Sequence, residues 1–331
     1  MSTVLLAYYC ALVLVASIIG GMIPVWFQLT HRWMQIAISF VAGVMLGIGV
    51  LHMLPHAIAD ATAAAEATTV TASSTMSAVA AVSAASHEAI QWTMMAMLVG
   101  MLTMFFIERF FSYHHHDVSE NGDDEETPNT QYPTSNIQHP PHAAEHSSAR
   151  AHRHDLSWGG ATFGLALHSI IDGVALAAAV QCESGRSWLA GFGAFLVIFL
   201  HKPFDAMTVG LLMSRGGWSL PWRHTVNTLF SLAIPVGVLI FYFGLMPEQF
   251  SADAANRQWY IACALAFSAG TFLCISLSDL LPELQFHRHD RVMLSIALLA
   301  GLAVAQIAAR LEAAAHPPHQ LPVTAISHTK R

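Results

Sequence analysis

The chain has 331 residues, 54% of them hydrophobic and only 11% charged. Soluble globular domains carry about 25% charged residues, so this composition excludes an ordinary soluble domain. The formal net charge of −7 comes without any Lys/Arg stripe, so no nucleic acid partner is expected. Four cysteines without a CxxC exclude a disulfide scaffold and a thiolate zinc finger.

A helix needs about 20 apolar residues to cross the hydrocarbon core of a bilayer. Eight stretches meet this rule: Val4–Leu29, Met34–Met53, Ile90–Phe111, Trp158–Val180, Trp188–Met213, Thr225–Leu245, Trp259–Leu281 and Val292–Arg310. The first lacks a basic leader and is long, which reads as a retained span and not a cleaved signal. Trp26, Trp33, Trp92, Trp158, Trp188, Trp222 and Trp259 fall near span ends, where interfacial anchors belong. The expected fold class is all-α: a polytopic membrane protein of eight transmembrane helices, with the lipid bilayer as a partner.

Lys and Arg concentrate in cytoplasmic loops. With the N-terminus outside, the inside holds Arg32, Arg109, Arg150, Arg153, Arg215, Arg223, Arg288 and Arg291. The outer loops hold only Arg186 and Arg257, and the outer C-terminal end adds Arg310, Lys330 and Arg331. Both termini are therefore expected outside. Residues 1–111 carry spans one to three, with residues 57–88, rich in Ala, Ser and Thr, read as an outer loop with some helix in it. Residues 112–157 hold His114, His115, His116, His139, His142, His146, His152 and His154, with Pro128, Pro133, Pro140 and Pro141. They read as a His-rich cytoplasmic linker without regular structure. Residues 158–311 carry spans four to eight, and 312–331 form an outer tail.

Two spans repeat one pattern. Phe40, Ala42, Gly43 and Leu46, then Leu54-Pro55, recur at the same offsets as Phe267, Ala269, Gly270 and Leu273, then Leu281-Pro282. The two copies cross in opposite directions. Inverted repeats around a midplane site are a common plan in secondary transporters.

Span four contains His168-Ser169-Ile170-Ile171-Asp172-Gly173, and span five contains His201-Lys202-Pro203-Phe204-Asp205. Both read HxxxD, and residues i and i+4 share a helix face. One HxxxD is as readily a polar pair that glues helices together. Two on consecutive spans supply four ligands, and a tetrahedral N₂O₂ set suits Zn²⁺ while tolerating Fe²⁺ or Mn²⁺. Ionised groups at bilayer depth cost roughly 3 kcal/mol or more, so they face a cavity or a partner. A dication would offset Asp172 and Asp205, and Lys202 would balance them when it is absent. Pro203 leaves the Phe199 carbonyl without its helical donor, which suits a cavity wall.

His52 and His56, at the outer end of span two, are candidates for a metal entrance. Asp279 and Glu283, followed by His287 and His289, are candidates for an exit; an ordinary polar loop is the competing reading. His87-Glu88 begins no HExxH motif, because Gln91 stands where the second His would be.

These residues resemble the ZIP (Zrt/Irt-like) family of divalent metal transporters over nearly the whole chain. His168, Ser169, Asp172 and Gly173 match that family's span-four motif, and His201 and Lys202 match the start of its span-five motif. Asp205 stands where a second His is usual, and Pro203 is one residue early. Residues 269–283 also resemble the family. The resemblance implies an inverted-repeat architecture, zinc import into the cytoplasm by an elevator-like slide, and no enzymatic activity. The metal is cargo, and no cofactor is expected. In two-metal members the residues equivalent to Ser169 and Lys202 help form the second site. A cation at 202, and no acidic residue on span six, lead us to expect one ion per carrier. The competing functions are a cation-diffusion-facilitator exporter, which has six spans and a soluble C-terminal domain, and a membrane haem or metal redox enzyme. The expected location is the cell membrane before an organelle, and monomer and homodimer both stay open.

Overall fold

A bilayer offers no partner for a free backbone N–H or C=O, so long apolar segments close their own hydrogen bonds as helices. The computed structural model describes residues 2–26, 31–72, 78–111, 146–185, 187–245, 254–286 and 291–315, and every regular element among them is helical. In chain order these are α1 (Ser2–Trp26), α2 (His31–Ile48), α3 (Leu54–Ala72), α4 (Ala78–Phe111) and α5 (His146–Cys182). They are followed by α6 (Phe192–Arg215), α7 (Leu220–Ser231), α8 (Ala233–Ile240), α9 (Ala254–Phe286) and α10 (Arg291–Ala314). Among the described residues, eight spans are long and apolar enough to cross a membrane; α2 with α3 makes one of them, and α7 with α8 another. The protein is an all-α, multi-pass integral membrane protein.

Both two-part spans have a proline at the reason for their division. Pro55 cannot donate to the Leu51 carbonyl, and the chain responds with a π turn over Gly49–Met53 in which Leu54 N–H bonds Gly49 O. Pro235 likewise cannot donate to the Ser231 carbonyl, and α7 gives way to α8 at Leu232. Pro203, by contrast, sits inside an unbroken α6.

Residues 57–88 are not a loop. α3 runs on to Ala72 and α4 begins at Ala78, so only residues 73–77 of this stretch lie outside the described residues. Alanine is the best helix former. The threonines and serine suit a helix as well, donating back to i−4 carbonyls: Thr62 to Ile58, Thr68 to Ala64, Thr69 to Ala65 and Ser86 to Val82. Ala57, Ala61 and Ala64 are buried, so the rod is also packed. The span Arg32–Thr69 has 38 residues, about 57 Å of helix, well beyond a 30 Å hydrocarbon core. Its C-terminal half is tied down by Asp60, which accepts from Gln258 Nε2 of α9 at 3.1 Å and from Cys182 Sγ of α5 at 3.0 Å. The expected His-rich linker is also shorter than read, because α5 starts at His146, past the last of its prolines. Residues 112–145 lie outside the described residues, as does the tail from 316.

Close helix crossings at glycine organise the bundle. A Cβ on Gly43 of α2 would collide with the Leu298 carbonyl of α10, and one on Gly301 with the Phe40 carbonyl of α2. The same reciprocal pair joins α9 and α4: Gly270 meets the Met97 carbonyl, and Gly100 meets the Phe267 carbonyl. Each glycine faces the carbonyl three residues before its partner glycine. Phe40 and Gly43 occupy the same places as Phe267 and Gly270, so the repeat in sequence is also a repeat in packing. A third pair, Gly173 and Gly237, joins α5 to α8 through the Ile234 and Ile170 carbonyls. Small residues allow such backbone approach in lipid, where packing and not water expulsion drives helix association.

The crossings sort the helices into two groups. In one, α6 packs on α1 and α5 on α8, with α7 beside them; in the other, α2 packs on α10 and α4 on α9, with α3 against both α4 and α9. Gly270→Val forces a branched side chain into a backbone contact. We expect it to cost about 3 kcal/mol, the upper end for overpacking. The check is thermal unfolding in detergent, where an unchanged midpoint would mean that α4 and α9 do not rely on this contact.

Candidate metal centre

α5 and α6 lie side by side, and their two HxxxD faces meet. One ligand atom from each of His168, Asp172, His201 and Asp205 lies within 4.8 Å of every other, an arrangement that could hold a metal ion. Asp172 Oδ2 is central, 3.2 Å from His201 Nε2 and 3.4 Å from His168 Nε2. Asp205 Oδ2 is 3.8 Å from His168 Nε2 and 3.9 Å from His201 Nε2. The i,i+4 spacing explains why each helix presents its pair together. What turns the pairs toward each other is the α5–α6 contact, closed off by Phe272 of α9, whose ring stands edge-on to His201 at 6.3 Å.

His201 Nδ1 lies 2.8 Å from the Val197 carbonyl. A carbonyl only accepts, so Nδ1 carries a proton, while Nε2 faces Asp172 Oδ2 at 3.2 Å: it donates to that oxygen when the ring is protonated and offers its lone pair to an ion when the ring is neutral. Such outer hydrogen bonds commonly fix the tautomer of a metal-binding histidine. Asp172 Oδ1 and His168 Nδ1 are also buried without hydrogen-bond partners among the described residues, which is costly for a carboxylate at this depth. The site is therefore built short of positive charge.

Lys202 supplies part of it. The side chain is fully buried, with Nζ 3.4 Å from Asp205 Oδ2 and 3.9 Å from Asp172 Oδ2. It donates to Ser169 Oγ, which in turn donates to the Leu165 carbonyl. Its ammonium also lies 4.6 Å from the centroid of the Phe230 ring. Lys202 thus occupies the Ser169 side of the site, anchored on all its faces.

His52 and His56 form a second group, joined by a residue that sequence reasoning missed. His52, His56 and Glu183 also bring ligand atoms within 4.8 Å of one another. Glu183 follows α5 directly, and burial pushes its carboxyl up to about 7. Glu312 of α10, also missed, reaches His52 Nε2 at 2.8 Å. The only signal for either was an acidic residue at the end of an apolar span. Of the exit candidates, Asp279 and Glu283 belong to the last turns of α9, but their side chains, and His287 and His289 altogether, lie outside the described residues.

The model of the ZIP zinc transporter family matches residues 3–309. A zinc transporter ZIP9 of Xenopus tropicalis is 23% identical over 287 residues, covering 84% of each chain. A ZIP9 of Macaca fascicularis is 33% identical over 120 residues, 36% of this chain and 49% of its own. Zinc transporter ZIP1 of Mus musculus is 28% identical over 142 residues, covering 43% and 40%. With the family match running through all eight spans, the chain belongs to the ZIP zinc transporter family.

Proposed function

We propose that this protein imports divalent metal ions, zinc foremost, into the cytoplasm, binding them at His168, Asp172, His201 and Asp205. The observation that carries this reading is the convergence of two imidazoles and two carboxylates, from two adjacent membrane helices, within 4.8 Å. Two nitrogens and two oxygens in a tight group suit tetrahedral Zn²⁺, with Fe²⁺ and Mn²⁺ as secondary cargo. Asp172 Oδ1 has no hydrogen-bond partner among the described residues, and an ion bound here would replace the contact of His201 Nε2 with Asp172 Oδ2. Lys202 takes the place a second ion would need, so one ion moves per cycle.

Direction follows from the charge rule, which puts the α6 C-terminal end in the cytoplasm. A cavity of about 190 Å³ lies between α2 and α6, lined by Phe204, Met207, Thr208 and, at its inner end, Arg215. Asp205, in the same stretch of α6, is the least buried of the four ligands. Both features support release toward the inside. The grouping of α1 with α5–α8, apart from α2–α4, α9 and α10, supports a slide of one group past the other. ZIP members are transporters, which sets aside the redox enzyme. The eight spans weigh against the six-span exporter. The cell membrane is the proposed location.

The test is uptake by the purified protein in proteoliposomes loaded with a zinc-sensitive dye. Zinc should enter with saturation, and Fe²⁺ or Mn²⁺ should compete. Ligand histidines must be neutral to bind, so uptake at fixed free metal should fall as external pH drops through the histidine range. A rate unaffected by that acidification would remove His168 and His201 from the site.

A further inference from the structure

The outer ends of the helices carry a second ligand cluster with its own architecture. The π turn at Gly49–Met53 holds His52, and His56 follows one helical turn later, their rings 4.7 Å apart. His52 Nε2 is 3.4 Å from Glu183 Oε1, and His56 Nε2 is 4.0 Å from the same oxygen. The His52 and Glu183 side chains are 8% and 3% exposed, whereas His56 is 34% exposed. The cluster is thus buried on one side and open on the other.

Its frame is rigid. Glu312 accepts from the backbone N–H of Phe192 at 2.9 Å and of Gly193 at 3.3 Å while meeting His52. Glu183 accepts from the N–H of Gly191 at 3.2 Å. Gly191 has φ 72°, a left-handed conformation that glycine accommodates without strain. A Cβ on Gly193 would press 3.0 Å from His52 Cδ2, so the helix start is shaped around that imidazole. Three chain segments that are far apart in sequence, residues 49–56, residues 183–193 and Glu312, meet here.

We propose that His52, His56 and Glu183 form an outer metal-binding site that takes a divalent transition-metal ion before the inner site does. Two imidazole nitrogens and one carboxylate leave a fourth tetrahedral position for water or for an arriving ligand. His56 faces the opening and meets the ion first; His52 and Glu183 draw it into the buried side. Glu312 Oε2 meets the same His52 Nε2 at 2.8 Å, so an ion on that nitrogen replaces this contact, with Glu312 kept beside it by the Phe192 and Gly193 N–H groups. The ligands come from both helix groups, His52 and His56 from one and Glu183 from the other. An ion held here bridges the two, and it must leave before they slide. This inference rests on the carrier reading for its role in transport, but its existence as a binding site stands separately.

The experiment uses the full chain in detergent and Co²⁺ alone as the probe. An inner-site double variant, Asp172→Asn with His201→Ala, should still bind Co²⁺ with the intense visible bands of a four-coordinate site. Adding His56→Gln and Glu183→Gln to it should remove one equivalent of Co²⁺ and those bands. The histidines of residues 112–157 are common to both proteins and cancel in the difference. If the combined variant does not fold, His56→Gln alone, at a half-exposed position, should weaken the Co²⁺ bands' binding constant about tenfold. Equal Co²⁺ binding and equal spectra with and without the outer substitutions would overturn the proposal. Wild-type protein that shows the difference but transports nothing would keep the outer site and remove the carrier reading.

Discussion

Asp172→Asn and His201→Ala should each lower zinc uptake by about 100-fold or more, since even partners outside the ligand shell of a metal are worth 10–100-fold. Asp172 is the sharper case. Its Oδ2 is the nearest carboxylate oxygen to both imidazoles, and its Oδ1 has no other use among the described residues. Asparagine keeps the shape and loses the charge, so the helix packing at Gly173 and Gly237 should persist. Measured in proteoliposomes against wild type at equal protein, uptake should fall without a matching fall in thermal stability. Retention of more than about a tenth of wild-type uptake by Asp172→Asn would mean that the ion is held elsewhere.

Lys202→Met should split binding from turnover. The ammonium stands 3.4 Å and 3.9 Å from the two carboxylates that would hold the ion, so it repels the cargo while neutralising the empty site. At an effective dielectric of about 20, a unit charge acting on a dication across a few ångströms is worth several kcal/mol. Methionine has nearly the same length without the charge. Zinc should then bind at least about tenfold more tightly. Steady-state uptake should fall by about tenfold or more, because the emptied site must return with two uncompensated buried carboxylates, and breaking a buried pair costs about 3–5 kcal/mol. Calorimetry for affinity and liposome uptake for turnover make the comparison. If affinity and rate moved down together, Lys202 would be a packing residue and the return step would need another counter-ion. The companion variant Lys202→Glu should let the protein titrate with two ions in place of one.

The parts of this protein that were readable in advance depend on short-range regularities. Spans could be read because crossing the bilayer demands a fixed length of apolar chain. The inner site could be read because helical periodicity places His168 with Asp172, and His201 with Asp205, on common faces. The stretch 57–88 was misread because the same length rule assumes that a helix stops at the membrane surface. Alanine propensity and burial against α9 and α4 carry α3 well past it. The start of α5 at His146 was missed because a run of histidines and prolines masked the point where the prolines end.

Sequence by itself determined the number of crossings, the repeated glycine pattern and the two HxxxD pairs, each a matter of length or spacing along one helix. Only the tertiary structure decided which neighbours those residues meet. It set Asp172 against His201, 29 residues away, and lodged the Lys202 ammonium between Ser169 and Asp205. It also brought Glu312 to the start of α6, 120 residues distant, beside His52 and Glu183. The reason is that helix periodicity fixes which side chains share a face, whereas the partner of that face is chosen by how whole helices pack. Here that choice rests on carbonyl-to-glycine contacts between segments that no local pattern connects.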